Sequence, residues 1–94
     1  MINKTIEKIE ASIQKMNAVD PKKKKEIIHL LSALKFEVKE LSKTHREQAQ
    51  SIESHLGTLS QEGLSASVQG FEASHPRLVQ TVNDFCNLLA NIGI

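Results

Sequence analysis

Tryptophan and tyrosine are absent from this chain, and aromatic residues make up only 3% of it: Phe36, Phe71 and Phe85. Aliphatic cores without aromatics are typical of helix bundles and coiled coils, and so few rings argue against a stacking platform for single-stranded nucleic acid. Cys86 is the single cysteine, so no internal disulfide forms. Its place among apolar residues marks it as a buried thiol that acts as a small hydrophobe, consistent with a reducing cytosol. No run approaches the roughly 20 apolar residues of a membrane span. The stretch from Met1 to Ser12 interleaves Lys and Glu with Ile and lacks the apolar centre of a signal peptide. A cytoplasmic location is therefore expected.

What is present is helical periodicity. The 94 residues are one domain's worth, and a chain this short buries only about two-thirds of its unfolded surface. Ile2, Ile6, Ile9, Ile13 and Met16 recur at steps of four and three, which predicts a first amphipathic helix over about 3–17. Val19-Asp20-Pro21 ends it, because proline cannot continue a running helix. The same residues start the next one, with Asp20 as N-cap and Pro21 at the first helical position. Ile27, Leu31, Leu34, Val38 and Leu41 carry the second stripe. Beyond Leu41 the pattern thins to His45, Ala49, Ile52 and Leu56 with a one-residue shift, and Thr44 with Glu47 has the spacing of a capping box. No Pro or Gly interrupts the stretch, so one long helix over about 21–56 is expected, bent near 42–45.

Gly57 through Gly63 then forms the return turn. Leu64, Val68, Phe71, Leu78, Val82, Phe85, Leu89 and Ile92 keep one phase to the end, which predicts a third helix over about 60–92, kinked by Pro76 at 74–76. Gly93 suits the position just past a helix end. A helix of the length of 21–56 would run on the order of 50 Å. The expected fold is thus all-α: an elongated antiparallel helical hairpin with coiled-coil-like packing, a short N-terminal helix and a Pro-kinked C-terminal helix. The C-terminal stretch would be the buried strut where three helices meet. The distal half would be a thin polar arm that a homodimer covers.

The block Phe71-Glu72-Ala73-Ser74-His75-Pro76, followed by Leu78, Val82 and the ending Leu89-Ala90-Asn91-Ile92-Gly93-Ile94, resembles a bacterial family called domain of unknown function 4404. The resemblance is specific over the last quarter of the chain and looser before it. It implies a short, cytosolic helical protein, and it carries over no activity, substrate or catalytic residue.

Charge is unevenly spread. Residues 1–46 hold eleven Lys/Arg against six Asp/Glu, and residues 47–94 hold one against five, so the halves differ as +5 against −4. Folding back pairs these halves along a seam. The run Lys22, Lys23, Lys24 and Lys25 falls in the first turn of the second helix, where the macrodipole disfavours cations. Lys35, Lys39, Lys43 and Arg46 extend it as a basic stripe. These eight are the candidates for an anion-binding surface facing nucleic acid or an anionic membrane.

Catalytic and metal signatures are sparse. Glu72 and His75 have the Glu-x-x-His spacing of carboxylate-bridged metal bundles and are the metal candidates, though no core glutamate completes such a set. His29, His45 and His55 lack partners at recognised metal spacing, and no nucleophile elbow or phosphate-cradling glycine loop occurs. No cofactor is expected. The reading that follows is a non-catalytic interaction or structural module acting as a homodimer, open to a further protein partner, with an anionic-surface binder as the alternative.

Overall fold

The computed structural model describes residues 2–93; Ile94 of the C-terminal block lies outside them. The described residues form five helices: α1 (Ile2–Gln14), α2 (Pro21–Ser42), α3 (Arg46–Gly57), α4 (Gln61–Ser67) and α5 (Pro76–Asn91). No strand occurs among them. The all-α class expected from periodicity is the class observed.

The elongated shape is not. The radius of gyration is 12.5 Å and the principal extents are 38 × 23 × 18 Å, close to the roughly 12 Å of a compact domain this size. The single helix expected over 21–56 is two helices, and α3 folds back against α2. No Pro or Gly stands at the break. Ser42 Oγ donates to Lys39 O at 2.7 Å, and Thr44 Oγ1 donates to Leu41 O at 3.4 Å. Backbone bonds close the same turn, with Leu41 O accepting from Thr44 N–H at 3.1 Å and from His45 N–H at 2.7 Å. His45, at φ −133° and ψ 68°, is then the N-cap of α3, without a side-chain capping bond. The Thr44–Glu47 capping box therefore does not form.

The third expected helix, over 60–92, is also two. After α4 the chain passes through Gly70 at φ 92°, a left-handed conformation suited to glycine. Residues 68–75 are turns, and α5 begins at Pro76, its first helical residue. Unchanged apolar phase across this link does not mean coaxial helices, because α4 packs beside α5 instead of continuing it. Between α3 and α4, Leu59 adopts φ 54°, a strained conformation held by packing of its half-buried side chain on the core. Ser60 caps α4 by accepting from Gly63 N–H at 3.1 Å. Gly93, at φ 83°, follows the C-cap Ile92.

The apolar stripes meet in one cluster that includes Ile6, Ile13, Leu31, Leu34, Leu56, Val82 and Phe85. Each such side chain stabilises the fold by about 1.5–3 kcal/mol through burial. The hub is α2, which touches α1, α3 and α5. The C-terminal helix was expected to be the meeting point of three helices including the first; instead α1 packs on α2 and α3, and α5 packs on α2 and α4. The fold-back also removes the thin arm that was the sequence-level reason for dimerisation.

Candidate interaction surface

A helix turns about 100° per residue, so the buried positions Ile27, Leu31, Leu34, Val38 and Leu41 define an inner face of α2 and, by geometry, an outer one. Lys25, His29, Ser32, Phe36, Lys39 and Lys43 follow each other at steps of four and three on that outer side, and all are exposed. Glu26 and Glu40 flank the stripe and are exposed too. In its midst, Phe36 is 62% exposed, the one large apolar side chain left open to solvent among the described residues. The other two phenylalanines are packed: Phe85 is fully buried and Phe71 is half-buried.

About two turns before Phe36, toward the start of α2, a cleft of about 520 Å³ opens between α2 and α5, lined by Lys25, Glu26, His29, Leu30, Asp84, Asn87 and Leu88. Its apolar floor comes from Leu30 and Leu88, both half-buried. Its rim carries Lys25 against Glu26 and Asp84, a local excess of one negative charge.

The eight basic candidates do not form one surface. Four consecutive residues cover the whole circumference of a helix; Lys22 and Lys25 are exposed, whereas Lys23 and Lys24 are half-buried. Lys24 Nζ donates to Gln14 O, the last residue of α1, at 3.3 Å. A cation at the negative end of α1 is favourable, which accounts for one lysine in a turn where cations are otherwise disfavoured. Asp20 Oδ1 accepts from Lys22 N–H at 2.9 Å and adds a compensating negative charge. Further along, Lys43 Nζ pairs with Glu40 Oε1 at 3.1 Å, and Lys35 is half-buried on the flank. Arg46 lies beyond the helix break, on α3. The fold-back brings Arg46 together with Lys39 across a cleft of about 200 Å³ that also holds Ser42, Gln50 and Glu53.

Glu72 and His75 do not share a helical face, because both precede α5. Glu72 Oε2 accepts from Gly70 N–H at 2.9 Å and so stabilises the left-handed turn. His75 instead meets residues distant in sequence. Its ring lies 5.8 Å from that of Phe71 and 6.0 Å from that of His45, and His45 lies 5.2 Å from Phe71, all edge-to-face. Two histidines at the N-caps of α3 and α5 thus close one aromatic cluster. Among the described residues, no group of three His, Cys, Asp or Glu side chains is placed to hold a metal ion.

Periodicity gave no hint of two further polar arrangements. Ser67 Oγ donates to Gly63 O at 2.7 Å and contacts His55 Nδ1 at 3.0 Å and Ser51 Oγ at 3.2 Å. With its proton committed to Gly63 O, Ser67 receives the proton of His55 Nδ1 and that of Ser51, which fixes the tautomer. The network ties α3 to α4. Cys86, only 8% exposed, has its thiol pushed above the ordinary value by burial, partly opposed by a hydrogen bond with Ser65. A neutral thiol beside Gln61 O, at 3.8 Å, is a packing group rather than a nucleophile.

Fold and surface together define a compact all-α domain whose central helix is apolar inside and charged outside around a single exposed aromatic. The chain belongs to the family described as Domain of unknown function (DUF4404), whose model matches residues 2–94. Comparisons with curated proteins and with solved structures return no match.

Proposed function

We propose that this protein is a non-catalytic interaction module that works as a homodimer, with the outer face of α2 as its contact surface. The observation that carries the reading is Phe36, 62% exposed on a helix whose other large apolar side chains are buried or half-buried. Leaving a phenylalanine in water forfeits about 1.5–3 kcal/mol of burial, and a twofold interface recovers that term twice. About two turns nearer the start of α2, the cleft with Leu30 and Leu88 offers further apolar surface for a second copy to cover. The buried, un-ionised Cys86 suits a reducing cytosol. Among the described residues no helix is long and apolar enough to cross a membrane.

One helix pair with its flanking cleft is a small contact, which places the dimer in the weak and transient class. Sedimentation equilibrium from low micromolar to millimolar concentration tests it. The expected result is a reversible shift from the 10.5 kDa monomer toward twice that mass, abolished by Phe36→Ser with the helical circular dichroism unchanged. A monomer mass across the whole range overturns the reading.

A further inference from the structure

We infer that the lysine-rich end of the molecule, where α1 turns into α2, is a docking surface for an anionic lipid bilayer. Residues 15–26 hold five Lys against two Asp/Glu, whereas the rest of the chain holds seven Lys/Arg against nine Asp/Glu. A nearly neutral protein thus keeps a charge of +3 in one corner and −2 over the remainder. The corner is one place in space. Lys24 Nζ reaches Gln14 O at 3.3 Å, which sets the first turn of α2 beside the end of α1 and Lys15.

The shape of that corner selects a flat partner. Lys22, Lys23, Lys24 and Lys25 fan around the helix, so no lateral face collects them. Yet each Cα–Cβ bond of a helix tilts toward its N-terminus, and no earlier turn of α2 lies ahead of these side chains. They lean past the end of α2 as a crown, with half-buried Lys23 keeping its stem on the protein. The bond to α1 accounts for Lys24. Nothing in the fold accounts for Lys22, Lys23 and Lys25, which the macrodipole disfavours and which form no ion pair among the described residues. On the cleft side, Asp84 borders Lys25. A bilayer surface is wide, flat and negative, and each lysine brought to it strengthens binding by about fivefold. Ala18 and Pro21, exposed between the lysines, offer the headgroup region small apolar groups. Nucleic acid fits less well, because residues 15–26 contain no arginine to grip a phosphate bidentately and no aromatic ring to stack on a base. Phe36 stands about 16 Å further along α2 than Lys25, so this surface is separate from the proposed dimer contact and does not depend on it.

Flotation with vesicles tests the inference. The protein is expected to bind vesicles of mixed phosphatidylglycerol and phosphatidylcholine, to dissociate from them as salt is raised, and not to bind vesicles of phosphatidylcholine alone. The triple variant Lys22→Gln/Lys23→Gln/Lys25→Gln should bind at least about tenfold more weakly. It should keep its helical circular dichroism, since removing cations from that turn relieves the macrodipole. Lys4→Gln/Lys8→Gln/Arg77→Gln removes the same charge from exposed positions elsewhere and should change binding by less than about threefold, because the attraction fades within a Debye length. The chain has no tryptophan, so Ala18→Trp reports contact at the corner by a blue-shifted emission on the mixed vesicles. Ser74→Trp, in the turn before α5, should show no such shift. Absence of binding to the mixed vesicles at low salt overturns the inference. Equal losses from the two triple variants do the same, as does tighter binding to duplex DNA than to the mixed vesicles, which would assign the lysines to nucleic acid.

Discussion

Gly63 shows how one position can reverse a general rule. Inside a helix, replacing glycine by alanine normally stabilises by up to about 1 kcal/mol. Here a methyl group would run into the ring of His55, with His55 Cγ at 2.6 Å. That ring is held by Ser67 at 3.0 Å and cannot withdraw without breaking the α3–α4 network. Gly63→Ala is therefore expected to destabilise the protein by about 1–3 kcal/mol in urea unfolding. In a His55→Ala background the same change should be neutral or stabilising. A stabilising Gly63→Ala in the unmodified protein would contradict the placement of His55. The sequence signalled none of this, since Gly63 read as a turn residue and His55 as an isolated histidine. Their meeting depends on the crossing of two helices, which spacing along either one does not encode. The aromatic cluster of His45, Phe71 and His75 was hidden for the same reason. Core residues such as Leu31, Leu34, Val82 and Phe85 were legible, because a period of 3.6 is a property of one helix alone.

Helix boundaries were legible where backbone chemistry marks them and not where side chains do. At Val19-Asp20-Pro21 the start of α2 was read correctly, since Asp20 caps it through Lys22 N–H at 2.9 Å and Pro21 is its first residue, whereas α1 ends earlier than expected, at Gln14. The break after Ser42 was signalled only by a one-residue phase shift and by a Thr44–Glu47 capping box that does not form, because no Pro or Gly marks it and hydroxyls bonded to the preceding turn are common in unbroken helices too. At the other end of the chain, Pro76 drew attention to a kink when the chain had already left the helix near Gly70. The cap at Asp20 carries more than usual, since the positive end of α2 is followed by four lysines. Asp20→Ala is expected to cost about 1–2 kcal/mol in urea unfolding, and Asp20→Asn to lose less because the amide oxygen still accepts the Lys22 bond. Equal losses for the two would assign the effect to charge and not to the cap.

At the scale of the whole molecule, the fold-back of α3 decides the shape and which surface is left exposed. It changes an expected rod into a compact body and withdraws the uncovered arm. What it leaves exposed is the outer face of α2, where the aromatic Phe36 sits among charged side chains. The basic candidates do not lie along one helix face: Arg46 is on α3, where it shares a cleft with Lys39, and Lys43 pairs with Glu40 within α2. The sequence argues for self-association only through a need to cover apolar surface, and the contact proposed above lies on a different surface. Its most direct test is disulfide trapping. In a Cys86→Ala background, Ser32→Cys places a thiol on the outer face of α2, about one turn from Phe36, while Ser12→Cys places one on the exposed side of α1. Under mild oxidation at equal concentration, Ser32→Cys should form a covalent dimer at least about tenfold faster than Ser12→Cys, as proximity raises effective concentration, and adding Phe36→Ser should remove the difference. Equal rates for the two thiols would contradict the claim that α2 meets its own copy.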